Sequence, residues 1–145
     1  MKKSLLITFI LINTAFFAQS GAKITFKDKD NTIDYGTVSK DTDSGIRKFE
    51  FTNTGDAPLI IKDVRSTCGC TVPSKPSGEI MPGKSDVITV KYNMNPGPIR
   101  KTITVESNAV NTEGGMVALK IKGEVIVKQE VNLLEKKKDS PLLVK

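Results

Sequence analysis

Residues 47–56 read RKFEFTNTGD, an alternating stretch that ends in a turn, and this stretch decides the fold. In an extended chain Phe49 and Phe51 point to one side, while Lys48 and Glu50 point to the other. One buried face and one wetted face are typical of a strand in an antiparallel sheet. The Asn-Thr-Gly-Asp turn then ends the strand. We therefore expect a protein built from antiparallel β-strands.

The same alternation continues on both sides of this stretch, whereas the 3.6-residue period of a helix is not found. About seven strands are predicted, at residues 24–26, 33–38, 47–52, 59–64, 87–92, 101–106 and 117–127. Gly36 predicts a bend or bulge, and Gly123, on the buried face of the last strand, predicts a bulge or a close neighbour. Seven short antiparallel strands predict an all-β, immunoglobulin-like β-sandwich, here over residues 23–128.

The start of the chain has the composition of a secretory signal peptide. Met1-Lys2-Lys3 is basic, residues 4–17 form an apolar run, and small residues follow. The run is shorter than the roughly 20 residues that a membrane-spanning helix needs, which favours cleavage over a membrane anchor. We expect residues 1–18 to be the signal peptide, with cleavage between residues 18 and 22. The mature protein would then be periplasmic or extracellular, without stable membrane insertion.

The other end of the chain loses the alternation of the domain. Residues 129–145 include three consecutive lysines and a proline, and we expect a charged, mobile tail there. A short helical turn around residues 131–138 is compatible with this composition.

Charge and composition exclude several classes of function. The chain has 22 basic and 16 acidic residues, a net charge of +6 at pH 7, and loss of Lys2 and Lys3 would lower it to +4. A mild, scattered excess favours solubility rather than nucleic-acid binding. Histidine is absent, which excludes Ser-His-Asp and Cys-His nucleophile systems and histidine-based zinc or blue-copper sites. We therefore expect a protein that is not an enzyme and does not bind nucleic acid.

Both cysteines lie in one short stretch, Thr67-Cys68-Gly69-Cys70-Thr71. The first interpretation is a Cys68–Cys70 disulfide, because an exported protein meets an oxidising environment. On a strand the two Cα atoms would lie about 6.5 Å apart, near the upper limit of roughly 6.8 Å for a disulfide. Gly69 could shorten this distance through an unusual backbone angle.

Three other interpretations of the same pair remain open. Two thiolates on one face could bind Cu(I), helped by Met81 or Met94 if the fold brings either close. The pair could instead exchange electrons with other thiols, with Arg65 as a nearby cation. In the last interpretation, Cys68 and Cys70 are simply small, reduced, buried residues.

Several motifs of the chain together resemble a known bacterial family. They are the turn Asn53-Thr54-Gly55, the stretch Cys68-Gly69-Cys70-Thr71, the turn Met81-Pro82-Gly83, the pair Ser107-Asn108 and the closing strand around Leu119–Val125. The combination resembles the family catalogued as domain of unknown function 1573, over about residues 35–125. The resemblance implies an exported immunoglobulin-like domain, similar to the major sperm protein and Hydin types and common in the Bacteroidota. It implies no activity.

The function that we expect is non-catalytic. Edges and end loops of sandwiches commonly bind other chains, so we expect an interaction or assembly module of the cell envelope whose partners are other envelope or secreted proteins. The alternative is a Cu(I)-binding or thiol-redox accessory protein that acts through Cys68 and Cys70.

Overall fold

The structure is a computed structural model and describes residues 20–127. Its nine strands are β1 (Ile24–Phe26), β2 (Thr32–Ser39), β3 (Ile46–Asn53), β4 (Leu59–Ser66), β5 (Thr71–Ser74), β6 (Glu79–Ile80), β7 (Ser85–Tyr92), β8 (Gly97–Ser107) and β9 (Met116–Ile126). Single turns of 3-10 helix occupy Lys29–Asn31 and Glu113–Gly115. Within the described residues no helix is long and apolar enough to cross a membrane. The predicted signal peptide (1–18) and tail (129–145, with its helical turn) lie outside the described residues.

The strands form two facing sheets, which confirms the predicted all-β immunoglobulin-like sandwich. The four-stranded sheet has the order β1-β3-β7-β5, and the five-stranded sheet has the order β2-β9-β8-β4-β6. Every strand pair is antiparallel except β2 and β9, which run parallel. The last strand therefore lies between β8, its predecessor, and β2, from the beginning of the domain.

The alternation in β3 produces the packing that the sequence predicted. Phe49 and Phe51 are buried, whereas Lys48 and Glu50 are exposed. Burying one such apolar side chain stabilises the fold by about 1.5–3 kcal/mol. The largest fully buried apolar side chains, contributed by both sheets, are Phe49, Phe51, Leu59, Ile88, Val90, Ile99, Ile103, Val105, Leu119 and Ile121.

Two glycines shape the pairing of β2 with β9, Gly36 through its backbone angle and Gly123 through a close approach. β2 has a register shift between Asp34 and Thr37, where Gly36 adopts a φ of +64°. Gly123 of β9 has a φ of +145°, and a Cβ atom there would lie 2.8 Å from the Cβ of Tyr35. The predicted bulge at Gly36 and the predicted close neighbour of Gly123 are both confirmed.

β5 and β6 are additional to the seven predicted strands. They flank or occupy residues 73–78, a segment between two of the predicted strands that contains two prolines. Each is short and lies at the end of its sheet. Proline is tolerated in an edge strand because one side of that strand needs no hydrogen-bond donor.

Asn53, at the end of β3, is a fully buried polar residue. Its Nδ2 donates hydrogen bonds of 2.8 Å to the carbonyl oxygens of Ala57 and Ile80. Its Oδ1 accepts from the backbone N–H of Gly55 at 3.0 Å and of Lys23 at 3.3 Å. One side chain therefore ties the start of the domain, the turn after β3 and the strand β6 together.

Candidate functional site: the Cys68–Cys70 turn

The turn that holds both cysteines joins β4 to β5, so the chain crosses here from the five-stranded to the four-stranded sheet. On the entry side the N–H of Thr67 donates to the carbonyl oxygen of Thr102 at 3.4 Å. On the exit side the N–H of Asn93 donates to the carbonyl oxygen of Cys70 at 3.0 Å. The cysteines are thus held at a bridge between the two sheets.

Cys68 and Cys70 form a disulfide in the structure, with Sγ atoms 2.03 Å apart and Cα atoms 5.3 Å apart. They lie in a turn and not on a strand, and the N–H of Thr71 donates to the carbonyl oxygen of Cys68 across it at 3.4 Å. Gly69 does not have a positive φ. The turn itself shortens the Cα distance, so the expected strand geometry with an unusual angle at Gly69 is wrong.

A buried hydroxyl lies beside the two sulfurs. Thr71 is 3% exposed, and its Oγ1 lies 3.9 Å from the Sγ of both Cys68 and Cys70. Disulfide sulfurs carry no proton, so the hydroxyl is the donor. Among the described residues these sulfurs are its only hydrogen-bond partners. Thr71 belongs to the cysteine motif but has no role predicted from the sequence; a hydroxyl directly after the second cysteine is the signal that could have identified it.

The two methionines considered as copper ligands do not reach the sulfurs. Met81 lies at the other end of β7, a strand whose eight residues span roughly 25 Å. Met94 follows Asn93 but is buried, with its sulfur packed against Gly45. Within residues 20–127 no three His, Cys, Asp or Glu side chains are grouped closely enough to hold a metal ion. Copper binding stays a prediction that depends on the two cysteines alone.

Arg65, the cation nearest in sequence, is held by other groups. Its Nε lies 2.8 Å from Asp63 and its second guanidinium nitrogen lies 3.2 Å from Glu106. These ion pairs are solvent-exposed and occupy the outer face of the five-stranded sheet. Arg65 is therefore not directed at the cysteines.

Lys101 is a cation that the sheet register places beside the entry to the turn. Ser66 pairs with Ile103, and the chain then enters the turn alongside Lys101. The neighbours of Lys101 on the same face, Ile99 and Ile103, are fully buried. Lys101 therefore occupies an inward-facing position and is itself half-buried.

A second polar cluster anchors the loop between β2 and β3. The hydroxyl of Tyr35 donates to the carbonyl oxygen of Gly45 at 2.8 Å, and the Arg47 guanidinium lies 4.0 Å from the centre of the Tyr35 ring. Arg47 donates to both carboxylate oxygens of Asp43, at 3.1 and 2.7 Å. Burial raises the pKa of Tyr35 to about 12, and the hydrogen bonds from Arg47 lower the pKa of Asp43. These contacts are those of a structural cluster that fixes a loop.

Together, the two facing sheets define an immunoglobulin-like β-sandwich domain whose fold is similar to that of a PapD-like domain. The chain belongs to the family described as "Protein of unknown function (DUF1573)", which matches residues 24–125. The resemblance inferred from the turn and cysteine motifs is thereby confirmed. A comparison with curated proteins finds no match.

Solved structures share the fold at low sequence identity. A protein of unknown function from Porphyromonas gingivalis W83 is 19% identical, with a TM-score of 0.61, over 76% of this chain and 50% of that one. The ASH/PapD-like domain 7 of human CEP192 is 12% identical (TM-score 0.55; 74% and 87% covered). The secreted serine protease VesC from Vibrio cholerae is 16% identical (TM-score 0.51; 71% and 23% covered). The chain thus spans about half of the Porphyromonas chain, and at these identities the likeness shows the fold alone.

Proposed function

We propose that this protein is an exported, non-catalytic interaction or assembly module of the cell envelope, whose partner is another envelope or secreted protein. The observation that carries the proposal is a row of exposed aliphatic and lysine side chains on the four-stranded sheet. Export rests on the composition of residues 1–18.

The row consists of direct cross-strand neighbours. Val72 of β5 pairs with Lys91 of β7, which pairs with Ile46 of β3. Val72 is 62% exposed and Ile46 is 42% exposed. Val87, on the same side of β7, is also exposed. We call these four residues the aliphatic–lysine face. Exposed apolar side chains that are grouped rather than scattered mark interaction sites.

The adjacent edge of the four-stranded sheet has few backbone donors to offer an added strand, which favours binding of a partner at the face. The N–H of Asn93, directly after β7, donates to the carbonyl oxygen of Cys70, so these two residues are a hydrogen-bonded pair that continues the antiparallel ladder. Because hydrogen-bonded pairs alternate along a strand, the backbone groups of Val72 point towards β7, and those of Thr71 and Pro73 point outwards. The N–H of Thr71 is used within the turn, and Pro73 has no N–H. This edge therefore offers no free donor at either position.

Side chains protect two further edges. Oδ1 of Asn111 accepts from the N–H of Ile24 at 3.0 Å, and its Nδ2 donates to the carbonyl oxygen of Ile24 at 2.9 Å. On β4, Nζ of Lys75 donates to the carbonyl oxygen of Lys62 at 2.5 Å. Covered or charged edges discourage pairing with another strand. The proposed interaction therefore uses side chains of the face and not the backbone of an edge.

The charge of the face indicates the chemistry of the partner. Lys91 is exposed on it and Lys48 is exposed beside it on β3, whereas Lys27 is paired with Glu50 at 3.0 Å. The face therefore has an excess of positive charge beside its aliphatic side chains. A partner surface that combines carboxylates with apolar side chains would complement it.

A photocrosslinking residue at Thr89, in the middle of this face, tests the proposal in the native cell. We expect one envelope or secreted protein to be crosslinked and the product to be lost when Val72→Asp and Ile46→Asp are combined. Met116→Asp is the matched control, because Met116 is 54% exposed on the other sheet. A product that survives the double change, or is lost equally in the control, would contradict the proposal.

The second candidate function is a Cu(I)-binding or thiol-redox accessory role. It is favoured by one observation: Cys68 and Cys70 are half-buried in a turn, so solvent reaches them. Titration of the reduced protein with Cu(I), followed by native mass spectrometry, should show one ion per chain and none after both cysteines are changed to serine. No retained Cu(I) in the reduced wild type would remove the copper form of this candidate.

A further inference from the structure

We propose that the Cys68–Cys70 disulfide is a thiol–disulfide exchange site that oxidises a dithiol, and that Thr71 and Lys101 stabilise the thiolate released in the exchange. The inference goes beyond binding at the aliphatic–lysine face. It rests on the thiol-redox form of the second candidate function and deepens it by naming the direction of exchange and the two side chains that assist it; no partner protein is needed for the test.

The first argument is the size of the ring. Cys68 and Cys70 are separated by two positions in sequence, so the disulfide closes a very short loop and restricts the unfolded chain little. Disulfides that solvent reaches are among the labile, exchangeable ones. A purely structural role would be better served by a bridge that spans more of the chain.

The second argument is the difference between the two sulfurs. Cys70 packs against the hydrophobic core, whereas Cys68 is not part of that packing. An incoming thiolate therefore reaches Cys68 more easily, which makes Cys70 the leaving group. A thiolate in a half-buried site needs compensation for the lost solvation.

Thr71 supplies part of that compensation. Its hydroxyl lies 3.9 Å from both sulfurs, which is a long contact for a neutral disulfide. When one sulfur becomes a thiolate, the same hydroxyl can donate a charge-assisted hydrogen bond, which is roughly twice as strong as a neutral one. The hydroxyl therefore favours the reduced state over the disulfide.

Lys101 supplies the charge. It occupies the inward-facing register position beside the chain as it enters the turn, and among the described residues it has no ion-pair partner. A nearby ammonium group favours thiolate over thiol. Lys101 thus takes the role that Arg65, held by Asp63 and Glu106, does not fill.

The electrons and protons of the exchange balance with the dithiol substrate and the disulfide alone, and no further reactant is needed. One thiolate of the substrate attacks Sγ of Cys68, the bond between the two cysteines breaks, and Cys70 leaves with the electron pair. The second substrate thiolate then attacks its own partner sulfur in the mixed disulfide and releases Cys68. The substrate loses two electrons and two protons and becomes a disulfide, and both protons end on Cys68 and Cys70.

The test uses the full-length protein with dithiothreitol and a synthetic dithiol peptide as probes. Two quantities are measured: the rate at which the probe reduces the disulfide, by alkylation and mass spectrometry, and the thiol pKa of the reduced protein, by ultraviolet absorbance. Thr71→Val keeps the side-chain shape and removes the hydroxyl. We expect it to raise the thiol pKa by about one unit, a tenfold change in thiolate population, and to slow reduction.

Four comparisons make the result specific. Thr67→Val, an exposed change in the same turn, and Thr71→Ser, which keeps the hydroxyl, should both behave like the wild type. Lys101→Met should also raise the thiol pKa. If Thr71→Val does not fold, the thiol pKa and reduction rate of Lys101→Met test the proposal instead. Unchanged thiol pKa and rate in both Thr71→Val and Lys101→Met would overturn the proposal. A disulfide peptide of residues 66–72 that matches the folded protein in both quantities would overturn it as well.

Discussion

The side-chain amide of Asn53 donates a 2.8 Å hydrogen bond to the carbonyl oxygen of Ile80, and this bond attaches β6 to the end of β3. Asn53→Ala removes this bond and the one to Ala57, leaving buried acceptors without a donor. We expect the free energy of unfolding to fall by about 3 kcal/mol, because each buried unsatisfied group costs about 1–3 kcal/mol. Urea midpoints measure the loss. Asn95→Ala, at an exposed position, is the control, and an equal effect there would contradict the role of Asn53.

Phe51 and its neighbour Glu50 test the strand register. Phe51 is 1% exposed and its ring lies 5.6 Å from that of Phe26, so Phe51→Ala should destabilise the domain by about 3–5 kcal/mol. Glu50→Ala removes only an exposed ion pair with Lys27 and should stay within about 0.5 kcal/mol. Equal losses in a denaturant titration would mean that the faces of β3 are exchanged.

Gly123→Ala should be strongly destabilising because a Cβ atom would meet Tyr35 and the backbone of Gly36, 2.7–2.8 Å away. Gly78→Ala is the matched control, since Gly78 also has a positive φ, +97°, but faces open space. Both changes carry the backbone strain of about 1–3 kcal/mol, and only Gly123→Ala adds the steric overlap. Thermal melting should therefore rank Gly123→Ala clearly below Gly78→Ala; the reverse order would refute the close β2–β9 approach.

Asp43 should make stability depend on pH. Its pKa is lowered from 3.8 in the folded state, mainly by the hydrogen bond from Arg47. A lowered folded pKa means that the contribution is present above the unfolded value and is lost as the pH falls below it. Asp43→Asn should therefore reduce Tm at pH 7, and its difference from wild type should shrink below about pH 3.8. A difference that is constant with pH would contradict the ion pair; Asp30→Asn, at an exposed position, is the control.

Export is tested at the N-terminus of the mature protein. The basic start, the apolar run and the small residues predict cleavage between residues 18 and 22. Mass spectrometry of the periplasmic and secreted fractions should find a first residue between Gln19 and Lys23. Recovery of an intact Met1 from the membrane fraction would show that the segment is an anchor.

The main strands could be predicted because their alternation is a local property of the sequence. β3 and β7 each carry apolar residues at every second position, and burial of one face follows directly. β5 and β6 could not be predicted, because such short edge strands form only through pairing with β7 and β4. Pro73, within β5, is also a residue that argues against a strand when the sequence is taken alone. The parallel pairing of β2 with β9 also depends on tertiary packing, which the local alternation of apolar and polar residues does not encode.

The chemistry of the site was only partly readable. The Cys68-Gly69-Cys70 motif was recognised with the disulfide among its open states, but its turn geometry depends on the crossing between sheets. Thr71 and Lys101 acquire a role only when the register is known. Asn53 was interpreted as a turn residue, because nothing in its local sequence indicates that β6 and the start of the domain would pack around it.

The parallel pairing of β2 with β9 has a consequence for the order of folding. Thr32 at the start of β2 pairs with Lys120 in β9, so this part of the five-stranded sheet depends on contacts between distant parts of the sequence. Such high contact order slows folding, because a long loop must close before the contact forms. A chain that emerges from its N-terminus would hold β2 unpaired until β9 has emerged, and would complete its sandwich only after nearly the whole domain is free.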